Sequence, residues 1–247
     1  MAVATWRRES LLAGIAVVFL LADPVRAAGL NLSWLDCGAS GVANRTFACN
    51  TNASGLHVMF GTFVAPAGLV GVSGFSAVLD AQSAGATFPA WWNLWTGGCR
   101  AASLSAFFDF TGGPFNCHDY WQGGVVGGVA MDPPIGNRAR IKTQAAFVLT
   151  NDPRIVAIAP NTEVYTFRLG VNNLKTVGLG SCAGCPTGVC IVLNSIVLTQ
   201  PPGFPSKTLS APSSRNTIQW QGGSEADCLL ATPAKNATWG GIKSLYR

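Results

Sequence analysis

The sequence predicts an all-β protein: an antiparallel β-sandwich or jelly roll of roughly 8–10 strands, stapled by disulfides. Short apolar or alternating segments recur at close intervals, and turns rich in glycine and proline separate them. No alternation of strands with helical segments is present, which argues against a parallel α/β sheet. Eight cysteines follow the N-terminal segment, and an even number is typical of disulfides in an exported chain.

The first 27 residues predict an export signal rather than a part of the fold. Arg7 and Arg8 form a basic region, residues 11–22 form an apolar core, and Val25-Arg26-Ala27 offers a cleavage site. The apolar core is shorter than the roughly 20 residues that span a bilayer. We therefore expect a cleaved signal and no membrane span after its removal; an uncleaved anchor is the alternative.

Residues 28–202 are expected to form the sandwich. The expected strands comprise residues 30–34, 56–64, 69–79, 103–110, 125–131, 138–149, 162–171 and 190–200. The segment at 138–149 alternates most clearly, because Arg138, Arg140 and Lys142 are separated by small or apolar residues. One face of that strand should therefore be exposed to solvent.

Residues 203–247 are expected to form a connector and a C-terminal segment. The connector is rich in proline and serine, a composition that favours extended backbone. Residues 217–220 predict an edge strand, and Cys228 would pin the remaining segment to the sandwich.

The cysteine spacing favours local disulfides. The eight cysteines are Cys37, Cys49, Cys99, Cys117, Cys182, Cys185, Cys190 and Cys228. The expected pairs are Cys37–Cys49 and Cys99–Cys117, each closing a short loop worth about 3 kcal/mol in the loop-entropy model. Cys182–Cys190 and Cys185–Cys228 would complete the set and clasp the start of the strand at 190–200. Eight cysteines allow 105 connectivities, so the spacing alone leaves other pairings open.

The composition argues against several classes of partner. Charged residues make up only 11% of the chain, and the net charge of +5 is spread without any basic run. A nucleic-acid-binding protein needs a clustered basic surface, so no nucleic-acid partner is expected. The surface should be rich in uncharged polar residues, as suits extracellular walls or assemblies.

Groups that could support catalysis are few. The two histidines are His57 and His118, and no Gly-x-Ser-x-Gly motif accompanies them. Asp80 and Asp109 lie at the ends of expected strands and would serve a hydrolase if they faced one cleft. The alternative is that both carboxylates cap turns.

The cysteines at 182, 185 and 190 are close enough in sequence to hold zinc as thiolates. Oxidation on export favours disulfides instead. The sequence therefore predicts no metal site and no other cofactor.

The aromatic loop is the best binding candidate in the sequence. Trp91, Trp92 and Trp95 lie within five residues of one another. Exposed aromatic faces stack on sugar rings or on partner side chains. In an extended segment Trp91 and Trp92 would face opposite ways, so at least one would be exposed; the alternative is that all three plug one end of the sandwich.

Three segments carry a resemblance. The start Leu30-Asn31-Leu32-Ser33-Trp34 with Asp36-Cys37-Gly38, the middle from Cys182 to Asn194, and the end Thr-Trp-Gly-Gly-Ile-Lys-Ser-Leu-Tyr-Arg at 238–247 resemble a set of uncharacterised exported bacterial proteins. The resemblance implies a bacterial, exported context and no particular activity.

These observations favour a non-enzymatic, secreted structural or adhesion module of the cell surface or the extracellular space, with the periplasm as another possible location. Cell-surface proteins or glycans are the expected partners, and the oligomeric state is left open. The alternatives are a carbohydrate-binding module that uses the aromatic loop and a secreted hydrolase.

Overall fold

A computed structural model describes residues 27–53 and 55–222 of the chain. The predicted export signal at 1–26 and the C-terminal residues 223–247, with Cys228, lie outside the described residues. The described part forms eleven strands: β1 Gly29–Trp34, β2 Asn44–Arg45, β3 Leu56–Val64, β4 Gly74–Ser83, β5 Leu104–Phe107, β6 Val125–Met131, β7 Arg138–Phe147, β8 Glu163–Asn172, β9 Val189–Thr199, β10 Lys207–Leu209 and β11 Thr217–Trp220. Short 3-10 turns occupy Gly38–Ser40 and Ala90–Trp92.

The strands form two sheets that pack on each other, which confirms the predicted disulfide-stapled, all-β sandwich. The first sheet has the order β1-β3-β8-β5, and the second has the order β2-β11-β9-β4-β7-β6, with β10 beside β9. All pairs are antiparallel except β2 with β11. One continuous apolar core fills the space between the sheets.

The burial of β7 follows the predicted alternation. Its residues are exposed and buried in strict turn from Arg138 to Phe147. Arg140 and Lys142 point outward, whereas Ile141 is fully buried. Within the described ranges no helix is long and apolar enough to cross a membrane.

The stretch after β9 is more closely integrated than the expected connector. β11 lies inside the second sheet, between β9 and β2, rather than at its edge. Residues 211–215 run along the free side of β1, where the Leu30 and Leu32 N–H groups donate to the Ala211 and Arg215 carbonyls at 3.0 and 2.8 Å. This contact covers an edge that would otherwise offer unpaired backbone groups.

The disulfides are long-range. All four predicted pairings are wrong, because each includes a cysteine that the structure bonds to a different partner. Cys37 pairs with Cys117, Cys49 with Cys185, and Cys99 with Cys182, across sequence separations of 80, 136 and 83 residues. Cys190 is also disulfide-bonded. The antiparallel topology brings loops from distant parts of the chain to the same end of the sandwich, so spacing along the chain does not indicate the partner.

Candidate functional site

The aromatic loop belongs mainly to the core. Trp91 and Trp92 are both 0% exposed, and their rings lie 4.8 and 5.3 Å from the ring of Trp220. The loop forms a 3-10 turn at Ala90–Trp92, so the two side chains are not on opposite faces as they would be in a strand. Trp95 is partly buried against the same core. The structure therefore corresponds to the alternative in which these tryptophans plug one end of the sandwich.

Arg100 anchors this loop, a role that the sequence did not reveal. Its guanidinium lies 3.5 Å from the centre of the Trp91 ring and donates to the Trp91 carbonyl at 2.8 Å and the Leu174 carbonyl at 2.7 Å. A third donation goes to the Asn172 carbonyl. Burial lowers the pKa of Arg100 to about 10, and carbonyl dipoles rather than a carboxylate compensate its charge.

The acids proposed for a hydrolase do not face one another. Asp80 lies on β4 in the second sheet, where it accepts from Arg140 Nε at 2.8 Å and from Asn194 Nδ2 at 2.7 Å. Asp109 follows β5 of the first sheet and accepts two hydrogen bonds from Thr111, which lower its pKa. Asp109 thus caps a turn, as the alternative interpretation expected.

A second acid does lie near Asp80. Asp132 lines the same shallow groove of about 310 Å³, but Lys142 Nζ lies 2.7 Å from its carboxylate. Both carboxylates are therefore compensated by exposed cations. Each carboxylate would have to leave its ion pair before it could act on a substrate as an acid or a base.

His118 lies at the junction of a loop with β8. Its backbone N–H donates to the Glu163 carbonyl at 2.9 Å, and its ring lies 6.4 Å from that of Tyr120. The neighbouring Asp119 accepts from the Gln122 N–H at 3.0 Å instead of orienting the imidazole. Within residues 27–53 and 55–222, no carboxylate contacts the His118 ring in the way that would orient a catalytic base.

One group of possible metal ligands exists among the described residues. Ligand atoms of Cys37, Cys117 and Glu163 lie within 4.8 Å of one another. The two sulfurs are joined in a disulfide, so neither is available as a thiolate. Glu163 instead accepts from Asn31 Nδ2 at 2.9 Å and Thr62 Oγ1 at 2.6 Å, which indicates a structural role.

A surface that combines several strands lies on the outer face of β4, β7 and β6. Two adjoining depressions of about 370 and 460 Å³ share Ser76 and Gln144. We call their combined surface the outer trough. Three cross-strand rows cross it: Gly74–Ala146–Val126, Ser76–Gln144–Gly128 and Val78–Lys142–Ala130.

Small side chains create the outer trough. A methyl group added at Gly128 would meet no atom within 4 Å, whereas the same addition at Gly74 would lie 2.8 Å from Ala146. Lys142 is the only charged residue among those that line the two depressions. Hydroxyl and amide groups of Ser76, Gln144 and Thr199 offer hydrogen bonds, but no nucleophile with an adjacent base is present there.

Sequence reasoning missed this surface, although Gly127-Gly128 within an expected strand was a usable signal. Glycine in a strand interior often marks a site of close approach by another backbone or a ligand. No protein-family model, no curated protein and no solved structure matches the chain.

Proposed function

We propose that the protein is an exported structural or adhesion module without enzymatic activity, acting at a cell surface or in the extracellular space. The observation that carries the proposal is the outer trough, which small residues line and in which Lys142 is the one charged residue among the described lining residues. The three long-range disulfides support it, since such bonds are typical of proteins that work in oxidising environments.

The shape of the outer trough suits an extended polymer. The five residues from Gly74 to Val78 cover about 14 Å at the usual rise of a strand. Small side chains allow the backbone or ring of a partner to approach the sheet closely. Val126, which is 64% exposed, supplies apolar contact, and Gln144 supplies an amide donor and acceptor.

The two alternatives have weaker support. A carbohydrate site on the aromatic loop would need exposed rings, and Trp91 and Trp92 are buried. A hydrolase would need two cooperating acids, and Asp80 and Asp132 are each paired with a cation.

The experiment obstructs the outer trough with a side chain that the fold tolerates. Gly128→Trp places a large ring in open space, and Gly112→Trp is the matched control, because it too meets no atom within 4 Å and has an ordinary φ. Purified proteins are mixed with insoluble extracellular material from producing cells, and the retained fraction is measured. Melting curves confirm that both variants remain folded.

We expect the wild-type protein and Gly112→Trp to be retained and the apparent affinity of Gly128→Trp to fall about tenfold, equivalent to about 1.4 kcal/mol. Equal retention of both variants would exclude the outer trough as the contact surface. No retention of the wild-type protein would contradict the adhesion role itself.

A further inference from the structure

A second groove lies on the other side of the sandwich, where β3 and β8 of the first sheet meet residues 45–48. It has a volume of about 560 Å³. Its apolar lining includes Leu35, Leu56 and Val58, of which Leu35 is 52% and Leu56 40% exposed. Two arginines, Arg45 and Arg168, line it as well. We call it the arginine groove.

Neither arginine makes an ion pair with a carboxylate in the part of the chain that the structure describes. The Arg45 guanidinium lies 5.0 Å from the centre of the Phe47 ring and makes no ion pair or hydrogen bond to the described residues. The Arg168 guanidinium lies 5.6 Å from Phe107 and 5.5 Å from Phe110, and its Nη2 donates to the backbone carbonyl of Asp109 at 2.5 Å. Its buried Nε has no hydrogen-bond partner within the described part of the chain.

The lining of the arginine groove contains no acidic residue. Asp109, whose backbone carbonyl accepts from Arg168, directs its carboxylate to the N–H and hydroxyl of Thr111. These hydrogen bonds lower the pKa of that carboxyl, and the charge of Arg168 contributes to lowering it. His57 also lines the groove, and its Nε2 lies 2.8 Å from Asn173 Oδ1. Burial lowers the pKa of His57, and the charges of Arg45 and Arg100 lower it further. Among the described residues, two guanidinium groups and no carboxylate therefore line the groove.

We propose that the arginine groove binds an amphipathic organic carboxylate. The carboxylate pairs with Arg45 and Arg168, and the apolar body of the ligand covers Leu35, Leu56 and Val58. This site is independent of the proposed function, because it shares no lining residue with the outer trough.

Three features select this class of ligand. A guanidinium offers parallel N–H donors that match a carboxylate in a bidentate geometry. The exposed leucines favour a ligand with an apolar portion, since a simple inorganic anion would leave them in water. The volume falls in the range of small-molecule sites, about 300–1,000 Å³.

The test uses three probes with the full-length protein. 4-Phenylbutyrate carries both a carboxylate and an apolar body, 4-phenylbutanamide carries only the body, and acetate carries only the carboxylate. Binding is measured by calorimetry, and the pKa of His57 is followed by NMR. We expect phenylbutyrate to bind about tenfold more tightly than either other probe, a difference of about 1.4 kcal/mol. Its negative charge should raise the pKa of His57.

Equal binding of the amide would overturn the role of the arginines, and equal binding of acetate would reduce the site to an adventitious anion only. No saturable binding of phenylbutyrate would overturn the proposal as a whole.

Variants locate the site. Arg45→Gln and Arg168→Lys should each weaken phenylbutyrate binding about tenfold, the second because lysine keeps the charge but loses the planar fork. Arg140→Gln is the control, since it removes the same charge as Arg45→Gln from the outer face of the second sheet. An Arg140→Gln effect as large as that of Arg45→Gln would show that only the overall charge matters and would contradict the proposal. Arg45 is the safer position, because its side chain makes no hydrogen bond to the described residues that the substitution would remove.

Discussion

Replacing Trp92 with alanine tests whether the aromatic loop is a structural plug. Trp92 is fully buried, and its ring lies 5.5 Å from Trp91, 5.3 Å from Trp220 and 6.5 Å from Phe88. Its indole N–H is also buried, without a hydrogen-bond partner among the described residues. The change would therefore empty a large part of the core at one end of the sandwich.

The expected loss follows from the buried area. A tryptophan removes roughly 150–250 Å² from water, which at about 25 cal/mol per Å² corresponds to about 4–6 kcal/mol. Aromatic-to-alanine changes in cores lower the free energy of unfolding by about 3–5 kcal/mol. The substitution also removes the buried indole N–H, which has no partner among the described residues, and this offsets about 1–3 kcal/mol of the loss. We therefore expect a loss near the lower end of that range, about 3 kcal/mol.

The assay is urea unfolding with the disulfides intact. Phe115→Ala is the control, because Phe115 is 79% exposed and its loss should change the free energy by less than about 0.5 kcal/mol. Trp92→Phe keeps most of the apolar volume and removes the indole N–H, so it should lose clearly less than Trp92→Ala. A loss below about 1 kcal/mol for Trp92→Ala would refute the assignment of this residue to the core.

Two further predictions concern a histidine and a disulfide. Because the folded pKa of His57 lies below the unfolded value of 6.5, the unfolded state binds more protons between the two values. The free energy of unfolding should therefore fall as the pH drops through 6.5. The midpoint of urea unfolding, measured between pH 7 and 5.5, should depend less on pH in His57→Gln than in the wild-type protein. The same pH dependence in both proteins would contradict this prediction. Replacing Cys49 and Cys185 together by alanine opens a link across 136 residues, so stability should drop by about 5 kcal/mol in the loop-entropy model. Peptide mapping without reduction should show Cys49 linked to Cys185, and a Cys37–Cys49 peptide would contradict the structure.

The sequence was sufficient to predict nine of the eleven strands, because local residues determine their burial pattern; the short strands β2 and β10 lie in segments that were expected to be a loop and a connector. β6 was predicted with the bounds it has, and the strict alternation of β7 was read from its basic residues. β4 was expected at 69–79 but spans Gly74–Ser83; residues 69–73 form an irregular segment in which Gly71 has a φ of 155°.

The disulfides and the surfaces could not be predicted in the same way. Disulfide partners depend on which loops share an end of the sandwich, and the spacing of Cys37 and Cys49 carries no information on that. The burial of Trp91 depends on a 3-10 turn and on Arg100, whose contacts are with β8 and the residues after it. The arginine groove brings Arg45 next to a strand more than a hundred residues away, a proximity that only the sheet order creates.

The long separations of the disulfides impose an order on biosynthesis. Cys37 and Cys49 emerge early, but their partners lie 80 and 136 residues further along. At a synthesis rate of about 5–20 residues per second, the time between the synthesis of Cys37 and that of Cys117 is on the order of 10 s. During that time the two early thiols are each other's nearest oxidation partners, and a bond between them would have to be broken again by thiol–disulfide exchange. Productive oxidation therefore requires either delayed access of the oxidant or an isomerase that rearranges early bonds once the second half of the chain has arrived.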